Sequence, residues 1–107
     1  MRRGDLLTVV IAGDYGKPRP AIVVQTDSLR GLESVIICPL TTDVQDAAFR
    51  VIVEPDEING LEQRSQVMVE KLTALSLRRC GRVIGRVSPD VMLQVDDALA
   101  AVVGLAD

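Results

Sequence analysis

Only two aromatic side chains, Tyr15 and Phe49, occur in this chain of 107 residues, although 48% of its composition is hydrophobic. Its core must therefore be filled with Val, Ile, Leu and Ala, and the β-branched members of that set favour strands. A chain of this length can bury one core without metal or disulfide support, so residues 1–107 are expected to form one domain. The same scarcity leaves few platforms on which bases could stack. Cys38 and Cys80 have no C-x-x-C spacing and there is no histidine, which excludes a zinc site of the usual type. Cys38, inside an apolar run, reads as a small core residue. No apolar run is long enough to span a membrane and no signal-like segment opens the chain, so a cytoplasmic protein is expected.

Turn residues cut the apolar runs into short pieces. The pattern predicts strands over Asp5–Ile11, Pro20–Thr26, Ser34–Thr41 and Phe49–Val53, a short strand over Gln66–Val69 and a last one over Arg82–Val87. Leu72–Leu77 reads as an irregular or one-turn helical link, and Asn59-Gly60 as the centre of a turn-rich connection. Pro39 has no N–H to give a ladder, which places it at a bulge or at the end of its strand. Ser88-Pro89-Asp90 then opens a helix, with Ser as N-cap, Pro in the first helical position and an acid beside the positive end of the dipole. Val91, Val95, Ala98, Leu99 and Val102 form one apolar stripe along it. Leu93, Ala100, Val103 and Leu105 lie off that stripe, an apolar surplus of the kind that marks interfaces. Short strands closed by one terminal helix give an α+β, mainly β fold, built as a small curved antiparallel sheet or barrel.

Arg19 is held between Pro18 and Pro20 at the mouth of the second strand. Each proline fixes its own φ and biases the residue before it toward extended backbone, so this guanidinium is held in place for an anion. The formal net charge is −3. Yet Lys71, Arg78, Arg79, Arg82 and Arg86 fall in one stretch without an acid, which can supply a local anion-binding face despite the acidic total.

Taken in order, these pieces resemble the MazF/PemK-type toxins of bacterial toxin–antitoxin systems. Arg3-Gly4-Asp5-Leu6 resembles that family's opening, Arg19-Pro20-Ala21-Ile22-Val23-Val24 its R-P strand, and Pro39-Leu40-Thr41-Thr42 its P-x-T-T element. Gly60-Leu61, Ser65 to Glu70, and Gly85-Arg86-Val87-Ser88 before the helix are similar to its later segments. The resemblance implies a small SH3-like antiparallel barrel (CcdB/MazF-like) with a C-terminal helix, a homodimer, and an endoribonuclease that cleaves single-stranded RNA without metal or other cofactor. Arg19 and Thr41 would then be catalytic, and Lys17, Thr42, Lys71, Arg78, Arg79, Arg82 and Arg86 would bind RNA. An antitoxin with an acidic, disordered tail is the implied protein partner.

Proton transfer stays open at this level. Arginine is a poor base at neutral pH, and Asp14, Asp43 and Glu70 are candidates by position only. Two departures from the family pattern stand out: Gly13-Asp14-Tyr15-Gly16 is a shorter loop than many relatives carry, and Lys71 stands where glutamine is frequent. The alternatives are a gyrase poison of the CcdB kind, which would trap gyrase on DNA, and a noncatalytic SH3-like adaptor. The adaptor would need an aromatic-lined groove that two aromatic residues cannot build.

Overall fold

The computed structural model describes residues 1–13 and 15–107. The described residues form seven strands, β1 (Asp5–Val10), β2 (Pro18–Val23), β3 (Ser34–Thr41), β4 (Arg50–Val53), β5 (Ser65–Met68), β6 (Thr73–Ser76) and β7 (Cys80–Arg86), followed by helix α1 (Pro89–Val102). All pairings are antiparallel, in the order β4-β5-β3-β2-β1-β7, with β6 added to β3. Among the described residues no ladder joins β4 to β7, so the sheet curves as in a barrel without closing.

β3 organises the sheet because it changes partner along its length. Ser34 to Ile37 pair with β6, and Leu40 and Thr41 with β5. Ile36 turns its carbonyl toward Val24 and Gln25. By the alternation of a strand, Pro39 therefore directs its nitrogen to the opposite edge, at the gap between the β6 and β5 ladders. The missing N–H costs nothing there. Pro39 is thus inside the strand, neither at its end nor at a bulge, and a change of neighbour makes room for it.

Leu72–Leu77 departs from the sequence reading, since Thr73–Ser76 is a strand. Only Leu75 of its four residues is buried, so the segment carries little apolar signal of its own, and pairing with β3 makes it extended. β2 also begins earlier than expected. Pro18 and Pro20 pair with Val10 and Thr8 of β1, which places Arg19 within a strand.

Two apolar layers fill the molecule. Leu6, Ile22, Cys38, Leu40, Val51, Val53 and Val67 pack toward Val95 and the half-buried stripe of α1. On the alternate face of the same strands, Leu7, Val9, Ala21, Val23, Val35, Ile37 and Leu75 form a second cluster. Cys38 is fully buried, and burial, then the charge of Glu70, push its thiol up to about 12. It is an inert core residue. The Ser88 hydroxyl accepts from the Val91 N–H and Pro89 takes the first helical turn, so α1 starts where its capping residues dictate.

Candidate active site

Arg19 and Thr41 belong to neighbouring strands that stop pairing just before they meet. The β2–β3 register runs Val23–Ile37, Ile22–Cys38 and Ala21–Pro39. Extended by two residues, it sets Arg19 opposite Thr41. No ladder forms at that level, and the reason is chemical. Val23 turns its carbonyl to Gly4, on the β1 side, so the even-numbered residues of β2 direct their nitrogens toward β3. At positions 18 and 20 those nitrogens belong to prolines and have no hydrogen to donate. The prolines that hold Arg19 thus also leave β2 and β3 unzipped beside it.

Cross-strand partners share a face. Arg19 pairs with Val9, and Thr41 with Gln66, so Val9, Arg19, Thr41 and Gln66 line up on the face of the second apolar cluster. Arg19 and Thr41 are both half-buried. The Thr41 Oγ1 accepts from the Asp43 N–H at 3.1 Å, which occupies a lone pair and leaves the hydroxyl proton to be donated.

The basic residues divide into groups. Lys17 is exposed and immediately precedes β2. Arg78 and Arg79, exposed in a one-turn 3-10 helix, lead into Cys80, which pairs with the same Val9 that pairs with Arg19. Two strand spacings, about 10 Å, separate the Cys80 and Arg19 backbones. Lys71 is exposed at the end of the 3-10 turn that follows β5. Arg82 and Thr42 line a different feature, a groove of about 660 Å³ with Thr8, Pro20, Glu62 and Ser65 among its walls. Thr8 and Pro20 alternate with Val9 and Arg19, so this groove opens on the opposite face of β1 and β2. Arg86 is engaged elsewhere: its Nη1 donates to the Asp5 Oδ1 at 2.8 Å, while the Asp5 Oδ2 accepts from the Arg2 N–H at 2.7 Å.

The carboxylates also separate. Glu70 receives hydrogen bonds from the Nε and Nη2 of Arg50, the latter at 2.6 Å. Those bonds hold its carboxyl below the ordinary glutamate range against the opposing effect of burial, and they raise the Arg50 guanidinium in turn. A carboxylate so engaged is a weak proton acceptor. Asp43 accepts from the Gln45 side chain at 3.1 Å. Asp14 lies outside the described residues.

The sequence reading passed over Gln66, which is only 3% exposed and hydrogen-bonded through both ends of its amide. A glutamine inside a four-residue strand otherwise made of Ser, Val and Met is the signal that could have found it.

Residues 2–103 match the family model described as PemK-like, MazF-like toxin of type II toxin–antitoxin system. A probable endoribonuclease MazF of Mycolicibacterium smegmatis is 36% identical over 108 residues, covering 99% of each chain. Endoribonuclease EndoA of Bacillus subtilis is 28% identical over 113 residues, covering 100% of this chain and 97% of its own. Among solved structures, a mycobacterial endoribonuclease in complex with its cognate antitoxin superposes with a TM-score of 0.84 at 23% identity, covering 98% of this chain and 96% of that one. A MazE–MazF complex from Deinococcus radiodurans gives 0.79 at 23% identity, with 97% and 95% coverage. The fold is that of these structures, and the chain belongs to the PemK-like, MazF-like toxin family of type II toxin–antitoxin systems.

Proposed function

We propose that this chain, a toxin endoribonuclease of the MazF type, cleaves single-stranded RNA by attack of a ribose 2′-OH on the adjacent phosphate, with Arg19 and Thr41 as its catalytic pair. The 2′-oxygen bonds to phosphorus as the bond to the 5′-oxygen breaks. The 2′-hydroxyl loses a proton and the 5′-oxygen gains one, so the products are a 2′,3′-cyclic phosphate and a 5′-hydroxyl. Negative charge grows on the phosphoryl oxygens along the way. A guanidinium held by two prolines donates paired hydrogen bonds to those oxygens, and the Thr41 hydroxyl adds another. No metal or cofactor is needed, because these donors carry the charge stabilisation.

The observation that carries this reading is the end of the β2–β3 ladder at Ala21–Pro39, whose register, continued by two residues, sets Arg19 opposite Thr41 on one face. Lys17, Arg78 and Arg79 supply positive charge near that level, while Arg82 and Thr42 offer a second contact around the far side of the sheet. Residues 1–107 act as one toxin domain, assembled as a homodimer in the cytoplasm; among the described residues no helix is long and apolar enough to cross a membrane. The mycobacterial endoribonuclease solved with its cognate antitoxin supports an antitoxin as a partner for this chain; on the proposed reading, the antitoxin covers the cationic surface with an acidic tail that folds on binding. Incubation of the purified protein with a defined RNA in EDTA, followed by end-group analysis, tests the reaction. Cyclic-phosphate and 5′-hydroxyl ends support it, and intact RNA together with gyrase trapped on DNA would replace it.

A further inference from the structure

Gln66 is a polar side chain buried beside the proposed catalytic pair, only 3% exposed. It stands opposite Thr41 in the β3–β5 register, and its hydrogen bonds run to the segment that follows Thr41. Its Nε2 donates to the Gln45 carbonyl at 2.8 Å, and its Oε1 accepts from the Gln45 N–H at 3.2 Å. The same oxygen accepts from Arg50 Nη1 at 3.3 Å, and Arg50 is fixed from behind by Glu70. From Gln45 the chain of bonds continues outward: its side chain donates to Asp43, and the Asp43 N–H donates to the Thr41 hydroxyl oxygen. Residues 42–49 contain no strand or helix, and this clamp ties the Gln45 backbone to β5.

We propose that Gln66, oriented by Arg50, is a positioning residue that fixes the direction in which Thr41 donates its hydroxyl proton. The proposal rests on the catalytic reading of Thr41 and adds to it a residue that touches no substrate. An accepted hydrogen bond sets which lone pair of the hydroxyl is occupied, and so where its proton points. If Gln45 slides, the Asp43 N–H slides with it, and a misplacement of about 1 Å at a reacting group can cost ~10²-fold in rate.

Gln66→Leu removes the clamp without emptying the site. Gln45 is exposed, so water can satisfy its freed backbone groups, and Arg50 keeps its bonds to Glu70. With a short fluorogenic RNA as substrate, kcat is expected to fall ~10- to 10²-fold while KM changes little. The Gln66→Leu, Thr41→Val double variant should be no slower than Thr41→Val alone, since the clamp acts only through that hydroxyl. If Gln66→Leu does not fold, Gln66→Glu serves instead: an ionised carboxylate repels the Gln45 carbonyl, whereas the protonated acid can donate to it. The rate of that variant relative to wild type should therefore rise as pH falls. An impaired Thr41→Val beside a wild-type rate for either Gln66 variant overturns the positioning role alone, as does a double variant whose loss is the product of the two single losses. A Thr41→Val protein at the wild-type rate overturns the catalytic reading of Thr41 and this proposal with it.

Discussion

Arg50 at the start of β4 and Glu70 just beyond β5 form a forked ion pair, with Nε and Nη2 of the guanidinium both donating to the carboxylate. Glu70 is thereby held below its ordinary pKa in the folded state. A lowered folded pKa contributes stability that is present above the unfolded value, about 4.3, and is lost as pH falls through the folded value. Glu70→Gln should therefore lower the melting temperature at neutral pH. The gap from wild type should close in acid, below the usual glutamate range, when melts are followed by circular dichroism as a function of pH. A gap that stays constant from neutral pH to pH ~2 would contradict the ion pair as its source.

Gly60 carries two constraints at once. Its φ is +72°, and a Cβ built on it would lie 2.2 Å from the Ile84 carbonyl oxygen of β7. Gly31 has a similar φ of +74° with nothing near its missing Cβ. Gly31→Ala should therefore cost about 1 kcal/mol from backbone strain alone, and Gly60→Ala on the order of 3 kcal/mol or more from strain and clash together. Thermal melts should separate the two by roughly 10 °C. Equal shifts would mean that the 55–61 connection does not press on β7 as described.

The arginines of the basic stretch should divide by role. Arg86→Ala leaves Asp5, which is 8% exposed, without its ion-pair partner and should cost roughly 1–3 kcal/mol of stability. Arg78→Glu and Arg79→Glu, on an exposed turn, should leave the melt unchanged and raise KM for RNA, with the defect growing as salt falls. Filter binding at two salt concentrations beside a thermal melt checks both. If neither Arg78 nor Arg79 alters RNA affinity, that turn is a solvated face.

Strands β1 and β3 and the helix were legible because their signals are local. Val35 to Leu40 is an unbroken apolar run, and Ser88-Pro89-Asp90 is a cap that the observed bonds confirm. What escaped is set by partners distant in sequence. β6 has one buried residue and is extended because β3 offers it an edge. Pro18 read as the end of a loop, yet it joins Pro20 in β2 because the nitrogens of both face a side where no ladder is made. Of the proposed site, Arg19 and Thr41 stand out through motifs that resemble the family's R-P and P-x-T-T elements. The clamp from Gln66 to Gln45 was not legible, since it joins residues 21 positions apart through a side chain and a backbone.

Apolar side chains remain uncovered after folding. On and beyond α1, Leu93 is 63% exposed and Leu105 81% exposed, and Met1, Leu29, Leu32 and Leu77 border a groove of about 480 Å³ on another part of the surface. Surfaces of this kind are expected to be buried between copies, in keeping with a symmetric homodimer. Light scattering at micromolar concentration should give twice the 11.6 kDa chain mass. A monomer under those conditions would contradict the assembly.

The role proposed for Arg19 is that of a guanidinium, fixed at the unzipped end of β2 and β3, that stabilises the transition state of RNA cleavage. Its most direct test is the single-turnover cleavage rate of Arg19→Ala on a defined single-stranded RNA in EDTA, beside a thermal melt of the same protein. Arg19 lies near the start of β2, outside the buried run Ala21–Val24, so the variant should remain folded. Its cleavage rate should fall by ~10²–10³-fold or more, with wild-type products ending in 2′,3′-cyclic phosphate and 5′-hydroxyl. A folded Arg19→Ala protein that cleaves at the wild-type rate would contradict the account.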